Sequence, residues 1–398
     1  MDVSEKRIVV TGGAGFIGSH LVERLGPDND VVVVDNEANG QSEWVHEDAT
    51  YLDGDLTDPD VVAEAITSDV DLVVHLAASK LVDTDTPRRQ FEDNSDITYN
   101  ILERMQEVGV ENLVFTSSST VYGEAPRPTP EDYAPLEPIS VYGATKLAEE
   151  SLVSTYAHSH DIQSWVFRFA NIVGPRLRGA VIPDFIEKLT EDSSTLTILG
   201  DGRQEKSYMH ISECIDAMLF AVEHADKDHN VFNLGTRTTT SVDRIASIVA
   251  DEMGINPEYE YTGGDRGWTG DVPRMRLSVD KLSALAGSPN SRATTRCGSR
   301  PANYSKNSER GVRPGTYRLI VLFRRRGRWP RRTRRPCPLP GRGRASCLAR
   351  TAGNGTCAPG PAGSDRPSRP RRSRSVPLWP RRVPIPLESG RYPAGCSR

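Results

Sequence analysis

The segment Arg7-Ile-Val-Val-Thr-Gly-Gly-Ala-Gly-Phe-Ile-Gly-Ser-His20 leaves little choice about the fold around it. An apolar run, Ile8 to Val10, leads directly into glycines at 12, 13, 15 and 18. Apolar residues then recur at helical spacing, at Phe16, Ile17, Leu21, Val22 and Leu25. The order is strand, tight turn, helix. Gly12 and Gly15 let the backbone turn sharply and come close to a pyrophosphate, and Gly18 lets the helix pack tightly on the strand. The free N–H groups and partial positive charge of the helix start then face the phosphates. A glycine-rich turn without a ligand needs none of this spacing, so the pattern points to a dinucleotide.

The chain continues in the same idiom. A second apolar run, Val31 to Val34, ends in Asp35, about 20 residues after the glycines. A carboxylate there accepts hydrogen bonds from adenosine ribose hydroxyls and repels a 2′-phosphate, which favours NAD over NADP. A short strand at 50–52 precedes Asp55-Leu56, and a helix is expected over 59–67. The strand Leu72-Val-Val-His-Leu-Ala-Ala78 ends in small residues against which a cofactor can lie. A helix over 91–108 and a strand over 112–116 follow. Strands alternating with helices imply α/β architecture, a Rossmann-like doubly wound parallel sheet, with ligands at the carboxyl ends of its strands.

Hydroxyls cluster at one such end, in Thr116-Ser-Ser-Ser-Thr120. After a proline-rich loop, Tyr142 and Lys146 stand four apart at the start of a helix reaching about 158, and so share a face. A phenol is a poor base at its ordinary pKa of about 10, and a neighbouring ammonium favours the phenolate. Alone, the pair is a commonplace of exposed helices; after a nucleotide fold and a serine cluster it points to acid–base chemistry. A strand over 164–169 leads to Asn171, and a smaller α/β lobe is expected beyond it. That lobe reads as helices over 181–189, 211–223 and 242–253, a turn and strand over 200–210, and a loop over 261–271. Lys206 and Arg266 there are cations able to pair with a diphosphate, or simply solvated surface charges.

Together these residues resemble the extended short-chain dehydrogenase/reductases, and within them the NAD-dependent nucleotide-sugar epimerases, UDP-glucose 4-epimerase among them. The resemblance runs from about Lys6 to Gly287. It rests on Thr-Gly-x-x-Gly-x-x-Gly at 11–18, Asp35, Asp55-Leu56, His-Leu-Ala-Ala at 75–78, Ser118, Tyr142-x-x-x-Lys146, Asn171, and Arg266 before Gly270-Asp271. It implies that Gly12, Gly15, Phe16, Ile17, Gly18, Asp35, Asn36, Asp55, Leu56, Ala77, Ala78 and Lys80 line the NAD site, with Tyr142 and Lys146 completing it. It implies further that Tyr142 is the acid/base, that Lys146 holds the ribose and lowers the tyrosine pKa, and that Ser118 bonds the sugar 4-hydroxyl. Asn171, Lys206 and Arg266 would hold the diphosphate of a UDP-sugar. Lys206 stands where the family usually has arginine, which keeps the charge but loses bidentate geometry, so weaker substrate binding is expected. The implied reaction is epimerisation at C4 through a transient 4-keto sugar. UDP-glucuronate and UDP-N-acetylglucosamine remain open as substrates, and Met275 falls where the family tunes room for an N-acetyl group. Sugar dehydratases of this pattern carry an Asp-Glu pair where this chain has Ser119 and Thr120, and decarboxylases usually have glutamate at Thr120. A protein that binds NAD without turnover is the non-catalytic alternative. The family suggests a homodimer.

The formal charge of −5 conceals two compositions joined near Gly287. Residues 288–398 carry 27 Lys and Arg against 3 Asp and Glu, whereas residues 1–287 carry 22 against 51. Five of the six cysteines lie in the basic part, at 297, 337, 347, 357 and 396, without zinc spacing, and no metal is expected. The domains read as an NAD-binding part over 1–170, a nucleotide-sugar lobe over 171–287 interleaved with it, and an Arg/Pro-rich tail over 288–398. The tail lacks apolar periodicity and is expected to be disordered. Arginine runs such as Arg324-Arg-Arg326 suit nucleic acid, but aromatics are few and Lys306 is its one lysine. The same composition arises when a GC-rich gene encoding many Asp and Glu codons is read in a shifted frame. The nucleotide sequence around codon 287, read in three frames, separates the two. No run of about 20 apolar residues exists and the first strand starts within a few residues of Met1, so a cytoplasmic protein without a membrane span is expected.

The acidic part resembles proteins adapted to high salt, since dense carboxylates repel one another until screened. Residues 1–287 are expected to unfold or lose activity in dilute buffer and to recover in molar KCl. Thermal unfolding at the two salt concentrations tests this, and equal midpoints would count against it.

Overall fold

A computed structural model describes residues 1–80 and 86–286. The expectations for 288–398, including its disorder and its cysteines, lie outside the described residues. Seven strands form one parallel sheet: β1 (Arg7–Thr11), β2 (Asp30–Asp35), β3 (Thr50–Asp53), β4 (Leu72–His75), β5 (Asn112–Ser118), β6 (Gln163–Phe169) and, later in the chain, His229–Leu234. Their spatial order is His229–Leu234, β6, β5, β4, β1, β2, β3. The order reverses between β1 and β4, and a crevice opens there at the carboxyl ends of the strands.

The runs at Ile8–Val10, Val31–Val34 and Leu72–Val74 are buried on both faces, which is why they read as continuous rather than alternating. Their side chains still alternate in direction. Ile8, Val10, Val31 and Val33 share a core with Leu21 and Leu25 of α1 (Phe16–Leu25). Val9, Val32 and Val34 share the opposite core with Val62 of α2 (Pro59–Ala65), Ile101 and Met105 of α3 (Pro87–Val108), and Val153 of α4 (Val141–Ser159). α3 starts four residues before the expected helix, because Pro87 occupies the first helical turn, where its missing N–H costs nothing.

The remaining residues serve both layers. β7 (Asn171–Val173) leaves the main sheet and is followed by α5 (Val181–Glu191) and β8 (Thr195–Ile198). The expected strand over 200–210 is two, β9 (Glu205–Lys206) and β10 (Tyr208–His210), split at Ser207, whose hydroxyl is held by Thr236. α6 (Ile211–His224) then packs on the main sheet beside α1, and β11 (His229–Leu234) closes that sheet. β12 (Thr240–Ser241), α7 (Val242–Met253), β13 (Glu258–Tyr261) and β14 (Arg274–Met275) return to the smaller layer, and α8 (Asp280–Ala286) packs on the main one. Phe185 and Leu189 of α5 meet Ile245 and Val249 of α7 over Leu196 and Ile198. No helix among the described residues is long and apolar enough to cross a membrane.

A buried polar network ties β6, β11 and α4 to the proline-rich loop. The Arg168 guanidinium donates to Glu150 at 2.9 and 2.7 Å, to the Tyr122 hydroxyl at 2.8 Å and to the Glu131 carbonyl at 3.0 Å. Tyr122 donates onward to Asn233, which donates to the Thr129 and Ser278 carbonyls. Removing one partner of such a buried pair strands the other's charge. Arg168→Leu is expected to cost about 3–5 kcal/mol in urea unfolding, and adding Glu150→Leu should recover much of it.

Candidate active site

Gly12 sits at φ +69°, and a Cβ there would lie 2.7 Å from the Ala77 backbone nitrogen. A side chain at Gly18 would meet the Gly12 carbonyl at 2.2 Å. The turn after β1 is therefore pressed against both the end of β4 and the start of its own helix. Asp35, at the end of β2, reaches back into this turn. One carboxylate oxygen accepts from the Ala14 N–H at 3.0 Å and the other from the Glu37 N–H at 2.8 Å. Burial raises its pKa, and the two N–H groups oppose that. Asp55 accepts from the Thr57 backbone N–H, which holds its carboxyl below the usual range, and Asn36 also bonds it. Gly12, Gly15, Phe16, Ile17, Asp35, Asn36, Asp55, Leu56, Ala77 and Ala78 thus gather at the strand ends on either side of the switch point, with Lys80 exposed at the rim. The bare backbone at Gly12 and the small residues opposite it suit a dinucleotide, and Asp35 suits an unphosphorylated ribose.

The second half of the site lies over β5. Ser118 ends that strand and caps a 3-10 turn, Ser119–Tyr122, by accepting from the Thr120 N–H at 3.2 Å. α4 begins against that turn: a Cβ at Gly143 would lie 2.9 Å from the Thr120 carbonyl oxygen. Ser140 caps α4 by accepting from the Gly143 N–H at 3.1 Å. Tyr142 therefore starts its helix beside the end of β5. Lys146, one turn on, is buried with its ammonium 4.7 Å from the Phe115 ring centroid.

Lys146 pairs with Glu149, with Nζ 3.3 Å from Oε2. Glu149 is fully buried and also accepts from Thr98 at 2.8 Å. Burial pushes its carboxyl up, and Lys146 and Thr98 oppose that. Lys146 is expected to lower the Tyr142 pKa, whereas the net shift set by the groups around the phenol is upward. Although part of Tyr142 stays accessible, burial first and the Glu149 carboxylate second push its phenol up. The Lys146 ammonium itself is paired with that same carboxylate.

In the smaller layer, Asn171 opens β7 and Lys206 ends β9. Lys206 pairs with Asp271 at 2.5 Å and lies 5.0 Å from the Trp268 ring centroid. Arg266 donates to the Asp271 carbonyl at 2.7 Å and to Glu124 at 2.8 Å. Asp271 thus gathers both cations, which are neither isolated nor simply solvated. The Arg266–Glu124 pair is exposed and cheap to exchange for phosphate, whereas Lys206 is tied to a buried carboxylate. Met275 packs with Val121, Tyr122 and Leu277.

This constellation has counterparts. The model of the NAD-dependent epimerase/dehydratase family matches residues 8–235. The chain belongs to this family. NAD is its cofactor, and the matched stretch holds the glycine turn, Asp35, Ser118, Tyr142 and Lys146. Among relatives, the chain is 31% identical over 290 residues to a putative UDP-glucose 4-epimerase of Methanocaldococcus jannaschii, covering 71% of this chain and 93% of that one. It is 33% identical over 293 residues to UDP-glucuronic acid decarboxylase 4 of Arabidopsis thaliana, covering 71% and 64%. A crystal structure of UDP-galactose 4-epimerase superposes with a TM-score of 0.66 at 39% identity, over 80% of this chain and 99% of that one.

Sequence reasoning missed Glu149, Asp271 as the partner of Lys206, and Glu124. Glu149 and Glu150 are adjacent carboxylates and both are buried, which the sequence alone gives no reason to expect. Gly12→Ala is expected to weaken NAD binding by at least about tenfold, because a Cβ has no space there and the backbone is left-handed. Calorimetric titration of NAD into the variant checks it.

Proposed function

We propose that the protein epimerises C4 of a UDP-sugar of the UDP-glucose/UDP-galactose type. The observation that carries this is the neutral end of β5. The residues after Ser118 are Ser119 and Thr120, both hydroxyls, so Tyr142 is the acid–base group of that strand end. Loss of water needs a second acid–base pair, and loss of carbon dioxide in this family uses a glutamate at Thr120. Epimerisation needs neither, because the proton that leaves the 4-hydroxyl returns to the same oxygen.

Ser118 and Tyr142 flank the place for the 4-hydroxyl, Ser118 bonding it and Tyr142 taking its proton. Lys146 holds the ribose one helical turn deeper. Bound NAD supplies a hydride acceptor that is regenerated when the keto sugar is reduced on its other face. Asn171 and Arg266 hold the diphosphate, with Arg266 exchanging Glu124 for phosphate oxygens, and Lys206 adds its charge from its place on Asp271.

In molar KCl, with UDP-glucose, UDP-N-acetylglucosamine and UDP-glucuronate offered in parallel, UDP-galactose is the expected product. Tyr142→Phe should lower turnover by about 10²-fold or more while NAD stays bound. Near-normal turnover in that variant, or release of carbon dioxide from UDP-glucuronate, would overturn the assignment.

A further inference from the structure

Glu149 is a buried carboxylate on the helix of Tyr142 and Lys146, and the reaction outlined above gives it no part. It ends a continuous chain of buried groups. Thr11, the last residue of β1, lies 2.8 Å from His75 Nδ1. His75 Nε2 lies 3.1 Å from the Thr98 hydroxyl, and that hydroxyl lies 2.8 Å from Glu149 Oε1. Lys146 reaches the same oxygen at 3.4 Å. Thr11, His75, Thr98 and Lys146 are all buried.

The protons in this chain have one consistent arrangement. Thr11 Oγ1 accepts from the Leu76 and Ala77 N–H groups at 3.2 and 3.3 Å, which leaves its own proton for His75 Nδ1. Thr98 has one hydroxyl proton, which it donates in a hydrogen bond to the Glu149 carboxylate. His75 Nε2 must then carry a proton and donate it to Thr98. The ring is neutral, since burial and the Lys146 charge lower its pKa to about 3. Every donor therefore points toward Glu149, from the Thr11 side and from the Lys146 side. A buried ammonium also needs a counter-charge, and among the described residues Glu149 is the carboxylate paired with it.

We propose that Glu149 is a positioning residue for Lys146, and that through Thr98 and His75 it couples that lysine to Thr11 at the root of the glycine turn. The proposal rests on the reading of Lys146 and Tyr142 given above. Glu149 anchors the ammonium through a buried ion pair, Nζ 3.3 Å from Oε2, where it is ready for the ribose. The groups facing Glu149 are Lys146 and Tyr142 on its own helix, Thr98 from α3 with His75 of β4 behind it, and neighbouring Glu150, whose charge is taken by Arg168. β5 contributes the uncharged Phe115 ring over Lys146.

Two variants of the full chain test this. Glu149→Gln keeps an oxygen for Thr98 but removes the charge, whereas Glu149→Ala removes both. Three readouts are compared with the parent: the imidazole nitrogen resonances of His75, NAD affinity after bound cofactor is stripped, and the pH dependence of reduction of bound NAD by UDP-glucose. In Glu149→Gln the His75 tautomer should persist, while the rising limb of the pH profile moves down by about one unit or more, because an anion opposing the phenolate is gone. In Glu149→Ala the His75 signals should lose the pure Nε2–H pattern, and NAD affinity should fall about tenfold as Lys146 loses its anchor. A Glu149→Gln profile equal to the parent's, or Glu149→Ala with parental His75 signals and NAD affinity, overturns the proposal. If the parent itself does not reduce NAD with any UDP-sugar offered, the proposed activity fails, and the His75 and NAD-affinity measurements still decide the role of Glu149.

Discussion

Gly12 has no room for a side chain, and the rest of the site follows from that contact. The turn after β1 presses against the backbone of Ala77 because β1 and β4 pair in parallel, Thr11 beside His75. Parallel pairing brings both strands to a common carboxyl end, and the reversal of strand order between them opens the crevice. Asp35 is drawn in on one side through β2, and Ser118 on the other through β5. A larger residue at Gly12 would push β1 and β4 apart at the point where both halves of the site meet.

Charge is the second constraint. Three described cations of the site carry an internal partner: Lys146 has Glu149, Lys206 has Asp271 and Arg266 has Glu124. Their depth separates their roles. Coulombic attraction at a buried pair is weakly screened, and breaking it leaves an unpaired charge, so Lys146 stays where Glu149 holds it. The exposed Arg266–Glu124 pair is worth little and is cheap to break. The same logic places Arg168 and Glu150 with the structure: the guanidinium is bonded to Glu150, the Tyr122 hydroxyl and the Glu131 carbonyl.

Much of this was legible before any coordinates. The continuous apolar runs of β1, β2 and β4 read as strands because both faces of a parallel sheet are covered, and their ends name the residues of the crevice. α7 was expected over 242–253 and spans Val242–Met253, because Ser241 caps it and Gly254 stops it in a left-handed conformation. The short strands β8 and β13 escaped notice because they pair with each other and their four-residue segments carry no strong period. The start of α3 was misplaced by four residues, since Pro87 opens the helix rather than preceding it.

What the sequence by itself determined is local chemistry: the glycine turn, the acid at Asp35, the hydroxyls after β5, and a tyrosine and lysine on one helical face. These follow from spacing along one chain, since a strand repeats every two residues and a helix every 3.6. What only the tertiary structure decided is which charges meet. Lys146 and Glu149 are neighbours by helical spacing, but Thr98 and His75 come from other elements, and so does Asp271 beside Lys206. Proton affinity depends on burial and on charges across space rather than along the chain. The fate of the Tyr142 phenol was therefore open until the helix was seen lying over the sheet, with a carboxylate beside its lysine.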